Sequence, residues 1–161
     1  MKPTILILSL CVFALTARAQ DASKPADKPA AKQPTQEELE AKFKKTMTKA
    51  TFVGRWCMVK DGKPGPEREE KYVIYDANKV SGDSWIIRAR LQYGNKDLTV
   101  PIPVTVKWAG DTPVISLTDL AIPGAGTYTA RVLVYGNQYA GTWSGGDHGG
   151  LLNGAITNAT E

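Results

Sequence analysis

The 161-residue sequence predicts an all-β fold: eight antiparallel strands that meander and close into a small barrel, preceded by a short N-terminal helix. Three observations predict it. From residue 51 onward, short runs of alternating apolar and polar residues are separated by turns rich in Gly, Pro, Asn and Asp. The connections are short, so consecutive strands pair antiparallel. Finally, a five-residue pattern of aromatic, small apolar, Gly, variable residue and Trp occurs twice, as Phe52-Val53-Gly54-Arg55-Trp56 and Tyr139-Ala140-Gly141-Thr142-Trp143. A region that opens and nearly closes on one strand pattern suits a sheet whose two ends meet, which removes exposed edges. The alternative architecture is an open two-sheet β-sandwich.

Residues 1–19 read as a signal peptide. Met1-Lys2 supplies a positive start, Ile5 to Leu15 is apolar apart from Ser9, and Ala17-Arg18-Ala19 is a small-residue cleavage site. A lipoprotein anchor at Cys11 is disfavoured by Leu10, which stands where a small residue is expected. The mature chain is then expected to start at Gln20 and to be secreted or periplasmic. No later stretch approaches the roughly 18 apolar residues of a membrane-spanning helix, so no membrane span is expected after cleavage.

Residues 20–34 are almost wholly Lys, Pro, Ala, Asp, Ser and Gln and read as a disordered spacer, because that composition cannot bury enough apolar surface to offset chain entropy. Residues 35–50 predict a short amphipathic helix. Thr35 and Glu38 form a capping-box pattern, and Leu39, Phe43 and Met47 at i, i+4 and i+8 make one narrow apolar stripe. Residues 51–161 form the β-domain.

Its expected strands are residues 51–59, 69–76, 85–93, 98–108, 113–120, 126–135, 138–144 and 150–157. In the third, Trp85, Ile87, Ala89, Leu91 and Tyr93 alternate with Ile86, Arg88, Arg90 and Gln92, giving an apolar face and a mostly solvated one. In the fourth, Pro101 and Pro103 lie two apart, so their missing N–H groups fall on the same side and that side should be an edge or a bulged bend.

Gly54-Arg55-Trp56 on the first strand, with Arg131 on a late strand, resembles the Gly-x-Trp signature of lipocalins, and Gly141-Thr142-Trp143 followed by Gly150-Leu151-Leu152-Asn153-Gly154 is similar to the opening hairpin of avidin-type barrels. Both families are calycins. The resemblance implies a barrel with Trp56 packed under an Arg, in the role of Arg131, and a lumen able to take a small ligand. The paired cysteines of lipocalins are missing. The avidin-like Gly-Thr-Trp also lies near the end of the chain.

Composition narrows the chemistry. Residues 51–161 carry eleven Lys/Arg against eleven Asp/Glu, so a basic groove for nucleic acid has no support. A single histidine, His148, and one cysteine after leader cleavage, Cys57, cannot supply the usual zinc or nucleophile–base sets. No enzyme activity and no cofactor is therefore expected. His148, in a Gly-rich loop, is a remote candidate for a haem ligand; a polar turn residue is the plainer reading. Glu67, Glu69 and Glu70 read as a solvated strand start. The chain is expected to be a secreted binding module for a small apolar ligand, with Trp56, Trp85, Trp108, Trp143 and Arg131 as ligand-binding candidates. A structural or interaction domain of the cell envelope, with a filled core and an unknown protein partner, is the alternative. An outer-membrane barrel is disfavoured by Pro101, Pro103, Arg88 and Arg90 within strands.

Overall fold

The computed structural model describes residues 32–124 and 126–158. The expected leader, the expected spacer before Lys32, residue 125 and residues 159–161 lie outside the described residues. One helix, α1 (Gln36–Met47), is followed by β1 (Ala50–Lys60), β2 (Lys63–Pro64), β3 (Arg68–Ser81), β4 (Ser84–Tyr93), β5 (Lys96–Ala109), β6 (Thr112–Ile122), β7 (Gly126–Tyr135), β8 (Gln138–Gly145) and β9 (His148–Asn158). Every pairing is antiparallel, and from β3 to β9 each strand pairs with the next. The meander closes because β1 pairs with β3 on one side and β9 on the other. The β1–β9 ladder runs through nine residue pairs, from Ala50↔Asn158 to Met58↔Gly150, and it rules out the open sandwich. Strand β2 is an extra two-residue arm hairpinned onto the end of β1, outside the eight-stranded closure.

Alternation decides which side chains enter the barrel. In β4, Trp85, Ile87, Ala89 and Leu91 are buried, whereas Ile86, Arg88 and Arg90 are exposed. The exposed arginines find carboxylates on neighbouring strands: Arg88 donates to Asp76 and Arg90 donates twice to Asp97. These exposed pairs contribute little to stability, because solvent screens them. An apolar interior under a charged outer face is the inverse of an outer-membrane barrel, whose outward band is apolar. Among the described residues, no helix is long and apolar enough to cross a membrane.

Helix α1 closes one end. Thr35 caps it through the predicted capping box, its Oγ1 accepting from the Glu38 N–H at 3.2 Å while its own N–H donates to Glu38 Oε2 at 2.7 Å. The buried stripe is the one the spacing predicts, Leu39, Phe43 and Met47. Phe43 inserts edge-on against Trp85 and Trp108, with ring centroids 5.1 and 6.2 Å away. Lys79 on β3 holds the exposed side of the helix through a 2.7 Å ion pair with Glu40.

One strand runs well past the end that its sequence pattern predicts. Strand β3 continues past Asp76 to Ser81, through a register shift after Ile74 that turns Ala77 into the core. Polar Asn78 and Lys79 hide this extension from a pattern search, yet their backbone pairs with Ile86 and Trp85. The prolines behave as their chemistry requires: β5 pairs with β4 from Lys96 to Thr105, through both prolines, but with β6 only from Thr105 to Ala109. The ladder on the β6 side stops just after Pro103, where the missing N–H groups begin.

Phe43 is 2% exposed. Phe43→Ala is therefore expected to lower the unfolding free energy by about 3–5 kcal/mol, measured by urea denaturation, whereas Lys79→Ala should cost no more than about 1 kcal/mol.

Candidate functional site

The repeated five-residue pattern forms one seam. Phe52 and Trp56 on β1 and Tyr139 and Trp143 on β8 are separated only by β9, because both strands pair with it. The rings meet in corresponding pairs, Phe52 with Tyr139 at 4.9 Å and Trp56 with Trp143 edge-to-face at 5.5 Å. The meeting of Trp56 and Trp143 is what barrel closure demands.

Between the pairs, glycines keep the wall low. Tyr139 pairs with Gly154, Gly154 with Gly54, and Gly54 with Glu70, a row across four strands. A Cβ on Gly54 would collide with the Tyr139 hydroxyl and the Asn153 carbonyl oxygen, and one on Gly154 would meet Tyr139 Cε1 at 2.7 Å. The Tyr139 side chain thus lies across two bare backbones and reaches Glu70, donating its hydroxyl to Oε1 at 2.8 Å. Tyr72, two residues along β3 from Glu70, donates to Oε2 at 2.5 Å.

Above this row lies a cavity of about 290 Å³. Its wall is mostly aliphatic, from Met47 at the helix end through Ile74, Ile87, Leu91, Ile102 and Val104. At the opposite end it is bounded by the partly exposed rings of Trp56, Tyr93, Tyr128 and Trp143 and by exposed His148. Tyr93 hydrogen-bonds Tyr128 there, and burial followed by that bond pushes its hydroxyl up to about 12.

Glu70 is the one buried charged side chain among the described residues, 3% exposed. Burial raises its carboxyl above the ordinary glutamate value, and the two tyrosine hydroxyls oppose that rise by stabilising the charged form. Burial likewise drives Tyr139 and Tyr72 upward, so both remain donors at any working pH. The sequence reading placed Glu70 with Glu67 and Glu69 on a solvated strand start. The signal that distinguishes it is parity, since Glu70, Tyr72 and Ile74 share a face of β3 and the last two are apolar-bodied.

The five predicted ligand-binding residues divide. Trp56 and Trp143 line the cavity. Trp85 and Trp108 sit instead at the helix end against Phe43, Trp85 in the packed core and Trp108 beside a minor groove of about 50 Å³. Arg131 is exposed on the outer face of β7, where parity sends Ala130 and Val132 to the cavity. It donates to the carbonyls of Leu117 and Ala130 and to Thr118 Oγ1, serving β6 beyond its last partner in β5. The arginine over Trp56 is Arg68, 5.2 Å from the ring centroid, which corrects the role that the lipocalin resemblance implied for Arg131.

His148 stands at the edge of Trp143, 5.5 Å between centroids, and 3.2 Å from Asp147. Among the described residues no group of three His, Cys, Asp or Glu side chains converges to hold a metal ion. The Trp56 and Trp143 indole N–H groups are buried without an acceptor, a cost of about 1–3 kcal/mol each that ordinary core packing avoids.

No family model, no curated protein and no solved structure matches this chain. The barrel is compatible with a calycin-like fold on its strand order and closure alone.

Two outcomes test this geometry. Gly54→Ala should destabilise the barrel by about 1–3 kcal/mol through overpacking, read by thermal or urea unfolding. For Glu70, a raised native pKa means the stabilising contribution is complete below the ordinary glutamate pKa and is lost as pH rises through the raised value. Glu70→Gln cannot titrate. The difference in unfolding free energy, wild type minus variant, should accordingly fall over that pH window in a urea series.

Proposed function

We propose that the protein is an exported binding module whose barrel takes up one small, largely apolar ligand. The observation that carries this reading is the roughly 290 Å³ cavity lined by aliphatic and aromatic side chains. That volume is at the lower end of small-molecule sites, about 300–1,000 Å³. An engineered apolar cavity of about 150 Å³ in another protein already accepts benzene. A packed structural core would not leave such a space, since interiors fill to crystal-like density.

The arrangement at the ends supports the same reading. Helix α1 stoppers one end with Phe43 and Met47, and the other is ringed by side chains that remain part-exposed. The leader pattern of residues 1–19 supports the reading of an exported module, periplasmic or outside the cell.

The test is uptake of N-phenyl-1-naphthylamine, followed by its fluorescence, and of toluene, followed by NMR line broadening. Both should bind wild-type protein. Ala130→Phe, which projects a ring into the cavity from β7, should weaken uptake about tenfold or more while the far-ultraviolet circular dichroism is unchanged. Failure of both probes to bind the wild type would overturn the reading.

A further inference from the structure

Glu70 is an unusual occupant for an apolar lumen. Among the described residues it is the only acidic one in the cavity wall. Each carboxylate oxygen accepts one tyrosine hydroxyl, at 2.5 and 2.8 Å, and each retains a further lone pair. Among the described residues, no Lys, Arg or His lies within ion-pair distance of it, and no cation contributes to its ionisation. An ionised carboxylate buried without a counter-charge is expensive unless something pairs with it.

Its surroundings suit a positive group. Tyr139, bonded to it, is in ring contact with Phe52, Trp56 follows two residues beyond Gly54 on β1, and Trp143 meets Trp56. Aromatic faces attract cations through the ring quadrupole, most strongly once water is excluded. The mouth already holds one such contact, Arg68 over Trp56, but that guanidinium is exposed and makes no ion pair with Glu70.

We propose that the ligand class of this cavity is a small primary amine with an apolar body, its ammonium group hydrogen-bonded to the Glu70 carboxylate and its body among the aromatic and aliphatic wall residues. This rests on the reading of the cavity as a ligand site. Tyr72 and Tyr139 aim the carboxylate by occupying one lone pair on each oxygen, and the row of glycines lets Tyr139 reach that position. The ammonium supplies three donors to a carboxylate that retains acceptor capacity, and no bond is made or broken.

Isothermal titration at pH 8 with three probes of similar shape tests it: 2-phenylethylamine, n-propylbenzene and 3-phenylpropanoate. The amine should bind wild-type protein about tenfold or more tightly than n-propylbenzene, the scale of a hydrogen bond to a charged group. Glu70→Gln should abolish that preference while keeping n-propylbenzene binding, which shows that the variant is folded. Equal binding of amine and hydrocarbon, tighter binding of the carboxylate, or a preference that survives in Glu70→Gln would overturn the amine assignment and leave the cavity reading standing. Binding of none of the three would overturn both.

Discussion

The contact of Tyr139 across Gly154 and Gly54 onto Glu70 is the constraint around which the barrel seam is organised. A strand pair closes a sheet only if its backbones approach to hydrogen-bonding distance, and bulky side chains on the inner face must then find room within the lumen. Here two adjacent strands give up side chains at one level, and a tyrosine from a third strand fills the space. The same level carries the Phe52–Tyr139 contact and the buried carboxylate, while the Trp56–Trp143 contact lies one step toward the mouth. Closure, the aromatic seam and the polar centre of the cavity therefore share one set of residues.

The two ends of the barrel do different work. At the helix end, Phe43, Met47, Trp85 and Val106 make a dense plug, and the large rings there are consumed by packing. Toward the mouth, rings stand around the lumen without filling it. Tyr93 and Tyr128 bond each other, Trp56 and Trp143 stack edge-to-face, and their partial exposure leaves the lumen bounded but unpacked. An apolar space with a buried acid and two unmatched indole donors costs stability that a filled core would retain. Such costs concentrate at sites where a protein has a use for them.

Several features were legible because they are local. The capping box at Thr35 and Glu38, the Leu39/Phe43/Met47 stripe, the β4 alternation and the one-sided handicap of Pro101 and Pro103 each depend on spacing within a few residues. Glu70, Arg131 and the tryptophans were not legible in the same way. Glu70 stands in an acidic cluster, and only its parity with Tyr72 and Ile74 separates it from Glu69. Arg131 matches a familiar motif by type, but its strand parity turns it outward and gives the position over Trp56 to Arg68. Four tryptophans share one chemistry, and their division between plug and cavity depends on which end of the barrel each strand level reaches.

By itself the sequence determined the eight strands of the closure, though not the short β2 arm, the antiparallel meander, the helix with its cap and the likeness of the two ends, because backbone period and turn chemistry act over short range. Tertiary structure alone decided that the ends join through nine residue pairs, that a helix stoppers one mouth, and that a space remains inside. It also decided that a glutamate from β3 and a tyrosine from β8, sixty-nine positions apart, meet over two glycines. Those outcomes depend on volume and on distance through space, and neither is written in the spacing of residues along one strand.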